Sequence, residues 1–523
     1  MIRNILMAGA VAAAVALAPT LAPAQSTLRV ANMGEPESLD PHFVSGTWEN
    51  RIIGDLFLGL TTEAADGSVI PGAAERWAIS EDGRVYTFKI RSHKWSDGQP
   101  VTAADFEFAL RRILAPETTA KYASLLYPIK SAEKFKKNET KELGVKTIGA
   151  DTLEVTLENP TPYFLAQLTH YTAFPVPKHA VEKHGKDWVK PGNFVSNGAY
   201  VMTEWTPSSH VKAVKNPNFY DAASVKIEAV LWYPGEDRAA ATKRFRAGEI
   251  DVATDFASDQ IELLKKEIPK ETRISPYLGI YYFAFNTAKK PFDDVRVRQA
   301  LSMAIDREAI TDKVLKTGEI AAYSFVPPGT DNYGEPAYVA FKGQAYDANK
   351  KKAAELLTAA GYGPGKPLKL TIAYNTSENH KKICIALAAM WKEVGVETEL
   401  FNTEVKVHYN NLNEGAFEVG RAGWIADYND PQNFLFLMQT SSGKLNYAKY
   451  SSPEFDKRMD EANRTTDLKK RAGIMREAEA ISMRDLPNIP IYYYVSKNLV
   501  SPKVKGWIDN TKDIHRTRWL SLG

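Results

Sequence analysis

The stretch RAGWIADYNDP, residues 421–431, places a guanidinium, an indole and a carboxylate (Arg421, Trp424 and Asp427) within seven residues, in otherwise apolar surroundings. Two arrangements fit those residue types. The charges can form a local ion pair, or they can stand apart and grip something that carries both signs. Signatures of covalent chemistry are absent: there is no G-x-S-x-G, H-E-x-x-H, Walker or C-x-x-C motif. His179 and His184 lie five apart on a Lys/Glu-rich segment, a poor spacing for a helical metal pair. GYGPG (361–365) follows a helical pattern rather than a strand, so it reads as a helix C-cap and turn, not a phosphate loop. Neither a metal nor a cofactor is expected, and no enzyme activity is supported. The aromatic residues say more. Tyr277, Tyr281 and Tyr282, then Trp424 and Tyr428, then Tyr492, Tyr493 and Tyr494 cluster at the ends of strand-like runs. Aromatic rings with a polar handle suit the walls of a cleft that buries a mixed polar and apolar ligand.

The elements that hold these residues alternate between helix and strand. RVYTFKIR (84–91) has Tyr86, Phe88 and Ile90 on one face, the period of a half-buried strand. Thr102-Ala-Ala-Asp105 resembles a capping box opening a helix with Ala103, Phe106, Leu110 and Ile113 on one stripe. The segment 293–310 (DDVRVRQALSMAIDREAI) reads as one helix, NKKKAAELLTAAGYG as another closed by Gly361, and LKLTIAYN and VETELF as strands. Ser452-Pro453 is an N-cap/N1 pair, Asp430 reads as a helix cap, and IPIYYYV (489–495) is a strand. The sum is an α/β protein, more β-rich in its N-terminal half.

Bulk properties narrow the setting. MIRNILMAGAVAAAVALAPTLAPAQS has one early cation, an apolar run of about 14 residues and Ala22-Pro23-Ala24 before the expected cleavage, the pattern of a secretory signal peptide. That run is shorter than the roughly 20 residues of a membrane-spanning helix. Cleavage after Ala24 leaves 499 residues, enough for two or three lobes. Removing Arg3 leaves 65 basic against 63 acidic residues, a balance that points to neither nucleic acid nor an anionic membrane. The single cysteine, Cys384, excludes an internal disulfide and sits on an apolar helical stripe as a core thiol.

Several segments together resemble the periplasmic oligopeptide-binding proteins, receptors of ABC importers within the extracellular solute-binding protein family 5. They are SLDPH (38–42), KWSDGQPVTAADFEFALRRI (94–113), NGAYVMTEW (197–205), RAGEID (246–251), PFDDVRVRQALSMAIDRE (291–308), YNTSENHKK (374–382) and RAGWIADYN. The resemblance covers the mature chain and implies an α/β fold, a two-lobed periplasmic-binding-protein clamp with an additional inserted domain in the first lobe. It puts lobe I at 25–57, 182–278 and 495–523, the inserted domain at 58–181 and lobe II at 279–494.

The resemblance also implies roles. Asp427 would hold the α-ammonium of an extended peptide, and Arg421 or His380, with Lys313 or Lys316 behind them, would meet its carboxylate. Each added residue moves the far terminus by roughly 3.3 Å, so cations at several depths would admit several lengths. Tyr122, Tyr277, Tyr282, Trp424 and Tyr494 would wall the cleft, and Ser45, Gly46 and Thr47 would contact the ligand backbone. Gly279 and Ile425 stand where some members carry a cysteine pair. The expected partners are short peptides and an inner-membrane ABC permease complex, with the receptor a periplasmic monomer. A same-fold receptor for a muropeptide or glutathione, or more remotely an exported hydrolase, are the alternatives.

Overall fold

The computed structural model describes residues 26–523, and the expected signal peptide (1–24) lies outside the described residues. Local sequence signals set many of the elements. The helix Ala103–Leu114 opens at Thr102, whose backbone N–H donates to Asp105 Oδ2 at 2.8 Å, and it buries Ala103, Phe106, Leu110 and Ile113. The strand Val85–Ile90 buries Tyr86, Phe88 and Ile90. Ser452 Oγ accepts the N–H of Phe455 at the head of the helix Pro453–Asn463. Cys384 lies fully buried on the helix Glu378–Glu393, and burial pushes its thiol up to about 12, so it is an inert packing residue.

The segment 293–310 departs from its expected single helix. It forms Val295–Met303 and then a separate turn, Arg307–Ala309. Asp294 caps the first and Asp306 the second, its carboxylate accepting the N–H of Ala309 at 2.9 Å. The break turns Arg307 inward. Its guanidinium is fully buried and donates to the carbonyls of Pro490, Ser302 and Ile305, which a straight helix would not allow.

One 11-stranded sheet runs through the molecule. Its order is Val396–Thr403, Leu368–Asn375, Val419–Ile425, Thr272–Phe285, Asn488–Val500, Val252–Ala253, Thr27–Asn32, Ala229–Pro234, His210–Lys215 and Tyr200–Thr206, with Ile320–Ala321 added beside Asn488–Val500. The two central strands are the longest and pair antiparallel, with a register shift between Pro276 and Ile280. On one side of that shift they belong to a core drawn from residues 278–493, on the other to cores drawn from residues 28–264 and 499–520. The two lobes therefore share a sheet and are joined by strands, not by loops. The segment 58–181 has a sheet of its own, in the order Ala74–Ile79, Val85–Ile90, Thr152–Thr156, Val145–Thr147, yet its apolar core is continuous with that of the first lobe.

Asp430, expected as a helix cap, has a larger task. It accepts the N–H of Gln432 at 2.9 Å, and it also forms a two-pronged ion pair with Arg471, both contacts 2.8 Å and both side chains 3% exposed. Sequence could not show this because Arg471 comes from the helix Leu468–Asp485. The pair fixes the loop that follows the strand Val419–Ile425. Asp430→Ala leaves a buried guanidinium unpaired and is expected to cost about 3–5 kcal/mol in urea unfolding.

Candidate functional site

Alternation along Val419–Ile425 puts Arg421, Gly423 and Ile425 on one face and Trp424 on the other. The neighbouring strand brings Gly279 opposite Ile425, Tyr281 opposite Gly423 and Phe283 opposite Arg421, with Tyr492 beside Tyr281. A Cβ on Gly423 would lie 2.6 Å from Tyr494 Oη and 3.1 Å from Arg421 Nη2; one on Gly279 would lie 2.5 Å from Ile425 Cδ1. These glycines let Tyr494 and the guanidinium lie flat on the sheet. Arg421 donates to Tyr494 Oη at 2.7 Å, Asn375 Oδ1 at 3.1 Å and Tyr409 Oη at 3.3 Å, and its guanidinium carbon sits 4.6 Å from the centre of the Tyr281 ring. Every one of these partners is neutral. Among the described residues no carboxylate pairs with Arg421, and its Nε has no hydrogen-bond partner.

His380 stands beside this cluster, its Nδ1 3.4 Å from Tyr281 Oη. Burial, and then Arg421, hold its imidazole well below the usual range, so it is a neutral donor and not the cation expected of it. Lys313 and Lys316 are exposed and form no hydrogen bond or ion pair with the cluster. Tyr282, expected as a wall, is 1% exposed and packs edge-on against Phe325 in the core; its neighbour Tyr281 faces Arg421 instead.

Past Ile425 the chain leaves the sheet and carries Asp427 to the other end of the site. Asn433 Oδ1 accepts both the Asp427 N–H at 2.9 Å and the Trp424 Nε1–H at 3.1 Å. Trp424 stacks on Tyr122 of the other lobe, ring centres 6.2 Å apart and planes within 5°. Asp427 Oδ1 lies 3.3 Å from His170 Nε2, and Oδ2 is buried with no hydrogen-bond partner among the described residues. His170 accepts the Thr172 N–H through Nδ1, which leaves Nε2 to face the Asp427 carboxylate. Burial holds His170 down to about 3, so the imidazole beside Asp427 is neutral and the contact is not an ion pair. Burial pushes Asp427 up to about 7. The local pairing of Asp427 with Arg421 is therefore overturned. Six residues, at most roughly 20 Å of chain, separate their backbones, and each has its own neighbours.

A cavity of about 60 Å³ opens beside Asp427, with Thr47 and Tyr277 in its wall. The amides of Ser45 and Gly46 donate to Glu49 Oε2 at 3.1 and 2.8 Å, so these two are already committed within the protein. His170, Asn433, Tyr409 and Asn375 were not found from the sequence, for they carry no motif and come from separate segments. Among the described residues no cluster of His, Cys, Asp and Glu could hold a metal ion.

The family of bacterial extracellular solute-binding proteins, family 5 (middle region), matches residues 68–446. The chain belongs to that family. It is 42% identical to the periplasmic oligopeptide-binding protein OppA of Escherichia coli, covering 97% of this chain and 95% of that protein. To the periplasmic murein peptide-binding protein MppA of the same organism it is 41% identical, over 93% and 91%. Among solved structures, Haemophilus influenzae OppA in complex with the peptide RPPGFSPFR superposes with a TM-score of 0.90 at 36% identity, over 95% of this chain and 99% of that one. Two structures of MppA, both 40% identical over 95% of this chain, give 0.91 (98% of that chain) and, for the unliganded open form, 0.73 (97%).

This member of the family therefore has its lobes in the closed arrangement, and the contacts across the cleft agree. Glu37 reaches Lys406 at 3.5 Å, Asp259 reaches Lys382 at 3.7 Å, and Tyr163 stacks on Tyr428 with ring centres 4.9 Å apart. Closure is what buries Asp427, because His170 and Tyr122 come from the opposite lobe. A carboxylate titration followed by ¹³C NMR is expected to show Asp427 with a midpoint near 7. Asp427→Asn removes that resonance; a midpoint in the ordinary range near 4 would contradict the enclosure.

Proposed function

We propose that this protein is the periplasmic receptor of an ABC importer, a monomer that captures short peptides in extended form between its lobes and delivers them to an inner-membrane permease. It binds and does not catalyse. The observation that carries this reading is a pair of buried side chains of opposite charge, neither held in an ion pair: Asp427 in the wall of the cavity and Arg421 on the strand that precedes it. A peptide in water carries the matching pair at its termini. The relatives named above bind oligopeptides or murein peptides by their own names and are periplasmic, in keeping with the leader expected at residues 1–24. No helix among the described residues is long and apolar enough to cross a membrane.

The geometry favours very short ligands for this pair of end groups. The Arg421 guanidinium leans over Gly423, four residues before Asp427, and because the strand ends at Ile425 the extended length of ~13 Å is the upper limit of that interval. A peptide of two or three residues spans about 7–10 Å and adds a hydrogen bond of ~3 Å at each end. Tyr281, Tyr494 and Tyr277 line the interval with apolar faces and hydroxyls, which suits a ligand recognised through its main chain.

Isothermal calorimetry with trialanine tests the reading. Asp427→Ala is expected to weaken binding by about 2–5 kcal/mol, and N-acetylation of the peptide to do the same for the wild type. Affinity within twofold of wild type in both experiments would remove Asp427 from the site. Binding should also release a proton. Asp427 is charged above about 7 and neutral below, while a free amino terminus loses its proton near 8. Affinity is therefore highest between about pH 7 and 8 and falls toward tenfold per pH unit on the acid side. Gly423→Ala, by displacing Tyr494 and Arg421, is expected to weaken trialanine binding about tenfold, with unfolding midpoints showing that the fold persists.

A further inference from the structure

The cavity beside Asp427 also holds a guanidinium that no salt bridge engages. Arg51 lies one helical turn after Thr47 on the helix Thr47–Leu56, so the two side chains share a face, and both line the cavity. Its neighbours in the wall are committed elsewhere. Lys512 and Arg516 both serve Glu63, at 3.2 and 3.6 Å. Asp513 is held by His515 at 3.0 Å and by the Asn498 amide at 2.8 Å. Arg516 is fixed further by donating to the Asn50 carbonyl at 2.8 Å, in space that Gly54 leaves open: a Cβ there would fall 1.6 Å from Arg516 Nη1. Arg51 is different. Among the described residues it pairs with no carboxylate, and its one hydrogen bond donates to the neutral amide oxygen of Asn32 at 2.8 Å. Burial, the larger effect, disfavours its charged form, and the Asp513 carboxylate in the same wall opposes that without forming an ion pair with it.

The enclosed wall thus contains one carboxylate, Asp427, and one guanidinium, Arg51, that no salt bridge engages, with Lys512 and Asp513 as opposite charges in the same wall. An α-ammonium on Asp427 brings the first Cα of a peptide to the mouth of this cavity, and the first side chain has the cavity as its nearest space. We propose that the cavity is the subsite for the first side chain of the peptide and that Arg51 makes it selective for an acidic one, aspartate or glutamate. Such a residue carries its ammonium and its carboxylate a few bonds apart, matching Asp427 and Arg51 within one cavity of about 60 Å³. A lysine in that place would add a fourth cation to a wall that already holds Arg51, Lys512 and Arg516.

This inference rests on the peptide-receptor reading, and one set of titrations separates the two. Calorimetry on the full mature chain compares Glu-Ala-Ala, Gln-Ala-Ala, Lys-Ala-Ala and trialanine, with wild type and with Arg51→Met. The expected result is Glu-Ala-Ala at least tenfold tighter than Gln-Ala-Ala and tighter still than Lys-Ala-Ala in the wild type, with the Glu/Gln ratio falling to about one in Arg51→Met. Equal wild-type affinities for the Glu and Gln peptides, or a ratio that survives Arg51→Met, would overturn the assignment of Arg51 while trialanine binding upholds the receptor. Failure of all four peptides to bind the wild type would overturn both. If Arg51→Met does not fold, Arg51→Lys replaces it: the shorter reach of a point charge is expected to lower the Glu/Gln ratio without abolishing it, and an unchanged ratio counts against the proposal.

Discussion

A carboxylate taken out of water without a cation costs several kcal/mol, and a fold holds one only where the surrounding structure forces it to. Asp427 is such a group. One oxygen lies 3.3 Å from a neutral histidine, the other has no hydrogen-bond partner among the described residues, and burial raises its proton affinity into the neutral range. Nearly every other feature of the cleft can be read as a condition for this. Trp424 and Tyr122 close one side as a stacked pair, Asn433 pins the backbone of the loop, and the buried pair of Asp430 with Arg471 keeps that loop from swinging out.

The two lobes divide the task. The second supplies the charges, Asp427 and Arg421, on a single strand and the loop that follows it. The first, with the segment folded onto it, supplies the lid: Tyr122, His170 and the helix carrying Thr47 and Arg51. Enclosure therefore depends on closure, and the two long strands that pass between the lobes are the natural place for that movement. Their register shift between Pro276 and Ile280 marks where the shared sheet passes from one core to the other. A ligand that compensates charges buried by closure stabilises the closed state by that compensation, which couples recognition to lobe movement.

Arg421 shows how a cation is kept ready without being satisfied by an acid. Three neutral oxygens and the face of Tyr281 hold the guanidinium in place, and two glycines let it and Tyr494 lie against the sheet. A carboxylate in this position would have formed an internal salt bridge and closed the site to ligand. Neutral partners orient the group while leaving its charge available.

Much of the local architecture was legible in the sequence because it is decided by neighbours along the chain. The capping box at Thr102, the alternation through Tyr86, Phe88 and Ile90, the Ser452 cap and the core position of Cys384 follow from spacing alone. The residue types at 421 and 427 declared that charge would sit at the end of a buried strand. What they do there was decided by tertiary structure. The break in 295–309 turns on where Arg307 finds carbonyls, the role of Asp430 on a helix that comes later in the chain, and the facing of Tyr281 rather than Tyr282 on sheet parity. The charge states of Asp427, His170 and His380 belong to the same class, since desolvation is a property of what encloses a group and not of its place in the sequence. Sequence supplied the charges; only the tertiary structure determined that two of them would be buried, apart and outside any ion pair.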